Sequence, residues 1–177
     1  MREKFHLVIF LTFLISTTAY AQKVAVDYDQ NANFSSYKTY SWGQGTPALN
    51  PLGHQRIVAG IEAQLAAKGW QKVESDPDVM VIYSAATTTE TQINTFDSGG
   101  PWGGYRRGWG GGISTTTVEK IPLGQLVVDM ADVKNKSFIW RGTASDTLSD
   151  KPEKNQKKLE KVLTKMFKKF PPTPATK

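Results

Sequence analysis

Hydrophobic and polar residues alternate most regularly over residues 113–145. Alternation with a period of two, in residues that are β-branched or aromatic, is typical of strands that bury one face. The pattern predicts three consecutive strands, at 113–120, 125–133 and 137–145, with Pro122 and Gly124 forming the turn between the first two. The last two are separated by the polar loop 134–136, which is short enough to predict a tight hairpin.

The register of this hairpin follows from matching its apolar positions. With a three-residue loop, Met130 lies opposite Trp140, and Asp129 lies opposite Arg141 on the other face. A shift by one residue would mix buried and exposed positions, so this register is preferred. The predicted buried face comprises Leu126, Val128, Met130, Phe138 and Trp140.

Two segments have apolar residues at helical spacing. Residues 52–68 form the first predicted helix, which Asn50 can cap and which Gly69 suits as a left-handed C-terminus. Its buried face contains Ile57, Ile61 and Leu65. The second predicted helix occupies roughly residues 152–170 and ends before two prolines. Its single apolar stripe consists of Leu159, Val162, Leu163, Met166, Phe167 and Phe170.

Shorter β-prone stretches at 24–28, 34–42 and 79–83 add further strands, and 85–91 continues the last of them as a polar extension. Strands with one apolar face and helices with one apolar stripe favour two packed layers. The predicted fold is therefore an α+β, two-layer sandwich. It has a mostly antiparallel sheet of about five or six strands, with both amphipathic helices on one face. A single domain is expected over residues 22–170, followed by a disordered tail at 171–177.

Residues 1–21 have the pattern of an export signal. Arg2 and Lys4 precede an apolar run at 7–15, and small residues at 19 and 21 fit a cleavage site. The apolar run is too short to span a bilayer. We expect cleavage after Ala21, a periplasmic or secreted mature chain and no transmembrane segment. The sequence contains no cysteine, so we expect no lipid anchor.

Few side chains offer catalytic or metal chemistry. The absence of cysteine excludes disulfides, zinc–thiolate sites and cysteine nucleophiles, and His54 is the only histidine after the export signal. We therefore expect no metal and no cofactor. Carboxylates such as Asp78, Asp129 and Asp132 could serve a hydrolase. However, aspartate is ordinary turn chemistry at a hairpin end such as Asp132, and Asp78 after Pro77 is equally ordinary as a strand-entry residue, so we expect no catalytic residues.

Residues 98–112 contain eight glycines interleaved with aromatic and arginine side chains. A loop of this length and composition is either a mobile connector or an adaptable contact surface. It lacks the spacing of a phosphate-binding loop. The candidate binding residues are Trp102, Tyr105, Arg106, Arg107 and Trp109.

The positive charge of the chain is concentrated in residues 151–170, which carry eight lysines and two glutamates. These lysines either form a solvated face on a core-packed helix or dock onto an anionic surface such as lipid headgroups. No nucleic-acid recognition motif is present, so we expect no nucleic-acid partner.

Four segments carry a family resemblance: FSSYKTYSW at 34–42, LAAKGW at 65–70, SDPDVMVIY at 75–83 and LVVDMADVKNKSFIWRG at 126–142. They resemble the bacterial envelope family called domain of unknown function 4136. The resemblance implies an exported envelope protein with a small α/β sandwich, in a family whose members are often lipid-anchored. It implies no established activity and no catalytic residues.

The favoured hypothesis is a non-catalytic binding or accessory module that contacts an unknown envelope protein, a glycan or a lipid surface. The alternatives are a hydrolase that uses strand carboxylates and a membrane-surface accessory factor that docks by the lysine-rich helix.

Overall fold

The computed structural model describes residues 23–97 and 114–172. The predicted export signal, the glycine-rich segment and residues 173–177 lie outside these ranges, so the fold does not test the predictions made for them. The elements are β1 (Lys23–Tyr28), a short 3-10 turn (Phe34–Ser36), β2 (Thr39–Trp42), α1 (Pro51–Ala67), β3 (Gln71–Lys72), β4 (Val79–Asp97), β5 (Ser114–Asp132), β6 (Ser137–Thr147) and α2 (Pro152–Phe167).

The strands form one six-stranded sheet in the order β1-β6-β5-β4-β2-β3. The pairings β1–β6, β6–β5 and β5–β4 are antiparallel. The pairings β2–β4 and β2–β3 are parallel and short, with three and two residue pairs. The predicted α+β class is confirmed, but the sheet is mixed rather than mostly antiparallel.

Both helices form where the apolar spacing predicts them. Asn50 caps α1 by accepting hydrogen bonds from the backbone N–H groups of Leu52 and Gly53. Gly69 follows α1 with a φ of 79°, a conformation that glycine adopts at no steric cost. All residues of the two predicted stripes are buried except Leu159, which is half-buried.

The helices pack side by side on one face of the sheet. At their contact, a Cβ atom on Gly60 would lie 2.5 Å from Leu163 Cδ1, so the glycine allows α1 and α2 to approach closely. Beneath them, the sheet contributes Val79, Val81 and Met130, each 0% exposed. The core is therefore a single layer between the helix pair and the sheet.

The β5–β6 hairpin keeps the predicted pairs but turns differently. Its turn has four residues, because Asp132 rather than residue 133 pairs with Ser137. A register shift between Met130 and Ala131 absorbs the additional residue. The pairs Met130–Trp140 and Asp129–Arg141 are therefore as predicted.

The register shift changes which residue of β6 is buried. Phe138, predicted to be in the core, is 62% exposed, and Ile139 is 2% exposed in its place. The prediction for Phe138 was wrong because strict alternation was assumed through a β-bulge. The bulge places two residues of β6 opposite one residue of β5.

The predicted strands 113–120 and 125–133 are one continuous strand, β5, of 19 residues. It pairs along its whole length with β4, which is equally long. The prediction of a break near Pro122 was wrong. The pair of long strands extends beyond the rest of the sheet, since the last residue pair between β5 and β6 is Leu123–Thr147.

No helix in the part of the chain that the structure describes is long and apolar enough to cross a membrane.

Candidate functional site

A polar pocket of about 380 Å³ lies between the 3-10 turn and the β5–β6 hairpin. Three of the residues that line it are acidic, namely Asp29, Asp78 and Asp132. It contains two of the carboxylates considered for a hydrolase, so their hydrogen bonds decide what chemistry is available.

Asp132 is buried, and both of its carboxylate oxygens accept hydrogen bonds. Its Oδ1 accepts hydrogen bonds from the backbone N–H groups of Lys134 and Asn135 at 2.7 and 3.0 Å. Its Oδ2 accepts from the Tyr37 hydroxyl at 2.8 Å and from Asn135 Nδ2 at 2.8 Å. These bonds, that from the Asn135 backbone first, lower the pKa of Asp132 below its usual range. Burial, and then the hydrogen bond to Asp132, raise the pKa of Tyr37 to about 12.

Asp78 has a similar role at the start of β4. Its Oδ2 accepts hydrogen bonds from the backbone N–H groups of Lys38 and Thr39 and from the Thr39 hydroxyl, each at 2.9 Å. The hydrogen bonds from these two backbone groups are the main reason that the pKa of Asp78 is lowered. The Asp78 N–H donates back to Thr39 Oγ1, so this exchange fixes the parallel pairing of β2 and β4.

These two carboxylates are suited to structure rather than to proton transfer. A general acid at neutral pH needs a raised pKa, and a general base needs a lone pair directed at the substrate. Asp78 and Asp132 have lowered pKa values, and the chain itself donates to their oxygens. Within residues 23–97 and 114–172, no group of three or more His, Cys, Asp or Glu side chains is arranged to hold a metal ion.

His54 lies in the first turns of α1 and contacts an aromatic residue. Its Nδ1 is hydrogen-bonded to the Tyr83 hydroxyl, and the two rings stack with centroids 5.7 Å apart. The imidazole of His54 therefore packs α1 against β4 through Tyr83. In a Ser-His-Asp site the histidine would instead be hydrogen-bonded to a serine hydroxyl.

An apolar groove of about 370 Å³ lies between the N-terminal parts of α1 and α2 and the sheet beneath them. Apolar side chains form its floor and walls, while Leu49, which is 97% exposed, stands at its edge. We define the apolar groove by its principal lining residues, which are Leu49, Ile57, Ala85, Leu126, Ala144, Leu148, Leu159 and Val162.

Charged residues border the apolar groove. Lys158 Nζ donates to the Thr147 carbonyl oxygen at 2.6 Å and to Asp146 Oδ1 at 3.3 Å. Lys158 therefore ties α2 to the end of β6. Arg56 also lines the groove, and no hydrogen bond or ion pair joins its side chain to another residue that the structure describes. It is the rim cation best placed to meet a ligand.

A two-stranded arm extends from one end of the apolar groove. We define the arm as residues 89–97 of β4 and 114–122 of β5, which form nine residue pairs. At about 3.4 Å per residue, the arm projects roughly 30 Å. Ile93 and Val118 lie opposite each other on it and are 66% and 57% exposed. Residues 86, 87, 124 and 125, just below the arm, line the groove.

The arm carries the predicted contact segment. Trp102, Tyr105, Arg106, Arg107 and Trp109 belong to the stretch that joins its two strands, and they lie outside the described residues. Sequence reasoning missed the groove because its lining residues come from five separate parts of the chain. The arm could be predicted in part, because the threonine-rich stretch at 85–91 indicated that β4 extends beyond residue 83.

The lysine-rich helix α2 packs its apolar stripe against the core, with Leu159 half-buried at the groove. The exposed lysines in and beside this helix are Lys151, Lys154, Lys157, Lys161, Lys165, Lys168 and Lys169. These lysines form the surface that could meet an anionic membrane.

The solved structures that match this chain share little sequence identity with it. A PDZ domain protein from Parabacteroides distasonis is 15% identical with a TM-score of 0.49, and the alignment covers 86% of this chain and 36% of that one. This chain thus spans about a third of that protein. A PelC dodecamer from Paraburkholderia phytofirmans is 12% identical with a TM-score of 0.47, over 81% of this chain and 96% of that one. A minor lipoprotein from Acinetobacter baumannii is 14% identical with a TM-score of 0.33, over 75% and 91%.

No curated protein sequence matches this chain. A family model does match it, over residues 24–172. That span includes every strand and helix from the second residue of β1 onward, and it contains all four segments that carry the resemblance. The chain belongs to the family described as Domain of unknown function (DUF4136).

Proposed function

We propose that this protein is a non-catalytic binding module of the cell envelope, exported by residues 1–21 and mature in the periplasm or outside the cell. The observation that carries the proposal is the apolar groove at the base of a projecting arm. A concave apolar surface with a few polar groups at its rim is the usual form of a binding site. The engaged state of Asp78 and Asp132 supports binding over hydrolysis.

The ligand we propose is a segment of a partner protein. A groove of about 370 Å³ is at the small end of the range for ligand sites, and its apolar lining suits one or two aliphatic or aromatic side chains. Arg56 at the rim would pair with a carboxylate beside them. A glycan is usually held by stacking on aromatic rings, and none of the residues that line this groove is aromatic.

The glycine-rich segment is the second part of the proposed contact. Trp102, Tyr105, Arg106, Arg107 and Trp109 combine large contact area with cationic hydrogen-bond donors, which are the residue types that dominate protein interfaces. The arm separates this segment from the domain along the chain. A partner that fills the groove and follows the arm would contact the two strands that this segment joins.

Two matched substitutions test the groove. Leu49→Asp places a charge at the groove edge, and Leu52→Asp places the same charge on α1 at a position that does not line the groove. Both leucines are exposed, at 97% and 57%, so both variants should melt like the parent protein. We expect chemical cross-linking in intact cells to give a specific adduct that Leu49→Asp abolishes and Leu52→Asp retains.

A third variant tests the glycine-rich segment separately. Replacing residues 98–112 by a short Asn-Gly turn should weaken the same adduct while leaving the melting temperature unchanged. If neither Leu49→Asp nor this replacement alters the adducts, the groove and the segment are not the binding surface. If the adduct contains lipid rather than protein, the proposed partner class is wrong.

A second function rests on the exposed lysines of α2. Each lysine near an anionic bilayer contributes about 1 kcal/mol of attraction, so the seven exposed lysines in and beside α2 could hold the protein at a membrane surface. Co-sedimentation with vesicles should then increase with the anionic lipid content and decrease with salt. Reversing Lys157 and Lys161 to glutamate should remove it. Co-sedimentation that does not depend on anionic lipid would exclude this function.

A further inference from the structure

The outer edge of β4 is defined by two hydrogen bonds at its base. Ala85 N–H donates to the Thr46 carbonyl, and the Val81 carbonyl accepts from Gly43 N–H. Both bonds point away from β5. In a strand, the N–H and C=O of one residue point to the same side, and successive residues alternate. The residues whose backbone groups face the outer edge between this base and residue 95 are therefore Thr87, Thr89, Thr91, Ile93 and Thr95.

This edge is open in the part of the chain that the structure describes. The pairing of β4 with β2 ends at Val81, and the last loop contact is the bond to Ala85. Beyond it, no described backbone group pairs with the five outward-facing residues. We call this stretch, residues 87–95 of β4, the open β4 edge.

The open β4 edge lacks the features that normally keep strands apart. Natural edge strands are protected by lysine, proline, bulges or short length. Residues 86–95 contain one charged residue, Glu90, and no proline, glycine or lysine. They pair with β5 in continuous register. The residues are mainly threonine and isoleucine, which favour strand pairing.

The other edge of the arm, on β5, is protected. Leu148 N–H donates to the Pro122 carbonyl, so the even-numbered residues of β5 face outward there. Pro122 has no N–H to offer, and Lys120 is the next outward-facing residue. Proline and lysine are the two residues that most often block edge pairing. The arm therefore has one blocked edge and one open edge.

We propose that the open β4 edge pairs with the same edge of a second copy of this chain, antiparallel and two-fold symmetric about Thr91. In this register Thr91 lies opposite its own counterpart, and Thr89 lies opposite Ile93 of the second copy. Thr87 lies opposite Thr95, so all five outward-facing residues are used. The pairing forms about ten backbone hydrogen bonds and converts two hairpins into a four-stranded ribbon.

The side chains favour this register and favour a second copy of this chain as the partner. Glu90 lies opposite Gln92 of the second copy, whereas a register centred on Glu90 would oppose two like charges. Threonine–isoleucine and threonine–threonine pairs are favourable across strands. A two-stranded ribbon is marginal in water, and a wider one is more stable. The edge thus matches itself in hydrogen bonding, in shape and in charge.

The first experiment uses two prolines on one rung of the arm. Thr91 and Lys120 pair with each other across the ladder, and each directs its N–H to an outer edge. Thr91→Pro and Lys120→Pro therefore remove equivalent donors from opposite edges. We expect the exported protein to sediment as a dimer at micromolar concentration. Thr91→Pro should weaken dimerisation at least about tenfold, and Lys120→Pro should leave it unchanged.

The second experiment uses the absence of native cysteine. At the two-fold centre, the Cα atoms of the paired Thr91 residues would be about 5.5 Å apart, which is within disulfide range. Thr91→Cys should form a covalent dimer under mild oxidation, and Lys120→Cys should remain a monomer on denaturing gels. This result decides the question even if a proline variant fails to fold.

A monomeric parent protein at high concentration would overturn the proposal, as would equal cross-linking of the two cysteine variants. A dimer that Thr91→Pro does not weaken would show that another surface joins the copies. The dimer test and the test of the groove are separate, because Leu49→Asp changes the groove and leaves the open β4 edge unaltered. Loss of either result therefore does not affect the other.

Discussion

Replacing Trp140 with alanine tests the organisation of the core. The indole is 1% exposed, and its ring centroid lies 5.2 Å from that of Phe167 and 5.5 Å from that of Phe170. Truncating a buried tryptophan in such a setting costs about 3–5 kcal/mol, because it removes apolar contact and leaves a cavity. For a domain of this size that loss corresponds to a fall of roughly 6–20 °C in the melting temperature. It is also a large part of the total stability of about 5–15 kcal/mol.

A phenylalanine at the same position separates two contributions to that loss. Trp140 Nε1 is buried and finds no hydrogen-bond acceptor among the described residues. An unsatisfied buried donor costs about 1–3 kcal/mol, and Trp140→Phe removes it while leaving a smaller cavity than alanine does. The two effects oppose each other, so we expect Trp140→Phe to lose less than about 2 kcal/mol.

Phe138→Ala is the control for this series. Its side chain is 62% exposed, so the free energy of unfolding should change by only about 0.5 kcal/mol. Urea denaturation followed by far-UV circular dichroism measures all three variants without relying on tryptophan fluorescence. If Trp140→Ala leaves stability unchanged, or if Phe138→Ala costs as much, the placement of the bulge and of the buried face is wrong.

Three further predictions follow from other parts of the fold. Because the pKa of Asp132 is lowered in the folded protein, its carboxylate stabilises the fold above the unfolded-state pKa, and this stabilisation is lost as the pH falls through the folded-state pKa. Between about pH 5 and pH 2, the free energy of unfolding measured with urea should therefore decrease less for Asp132→Asn than for the parent protein. An equal decrease in both proteins would contradict this. Gly142→Ala would place a Cβ atom 2.5 Å from Met166 Sδ, so it should destabilise the fold by about 1–3 kcal/mol and lower the melting temperature. An unchanged melting temperature would show that the clash does not occur. Replacing residues 98–112 by a short turn should change stability by less than about 1 kcal/mol, since loop-closure entropy varies slowly with length; a larger loss in urea would show that the segment supports the domain.

The helices and the centre of the β5–β6 hairpin could be predicted from the sequence, because the repeat of apolar residues along each segment determines its buried face. The stripe of α2 contains six apolar residues at helical spacing, and a helix can bury them all only by facing one way. The pair Met130–Trp140 was similarly determined, because a shift by one residue would have exposed both. In these elements the local pattern and the tertiary packing agree.

The roles of Asp78 and Asp132 could be predicted only in part. Sequence position indicated turn chemistry for Asp132 and a strand-entry role for Asp78, and each accepts hydrogen bonds from backbone N–H groups. The long-range partners gave no signal. Tyr37 lies 95 residues from Asp132, and Thr39 lies 39 residues from Asp78. Only the chain path that brings β2 beside β4 creates these contacts.

The continuity of β5 shows why a local turn signal can be overridden. Pro122 and Gly124 are turn formers by residue type, and they led to the prediction of two strands. In the sheet, the missing N–H of Pro122 faces the outer edge, where no ladder hydrogen bond is lost. Gly124 lies beneath Leu148, whose Cδ2 would be 2.9 Å from a Cβ atom. Both residues are explained by what lies beside β5, which the local pattern does not contain.

The same reasoning connects the proline to the proposed dimer. Proline is tolerated in β5 because that edge of the arm receives no partner strand, and its presence helps to keep the edge free. The opposite edge, on β4, runs through ten residues without an equivalent block. If both edges were meant to stay unpaired, a similar residue would be expected on β4 as well. The asymmetry is therefore an argument for selective pairing through β4, and exchanging the residues tests it. A variant with Thr89→Pro and Pro122→Thr, which alters one rung of the arm, should lose the β4-mediated dimer, whereas Pro122→Thr alone should keep it.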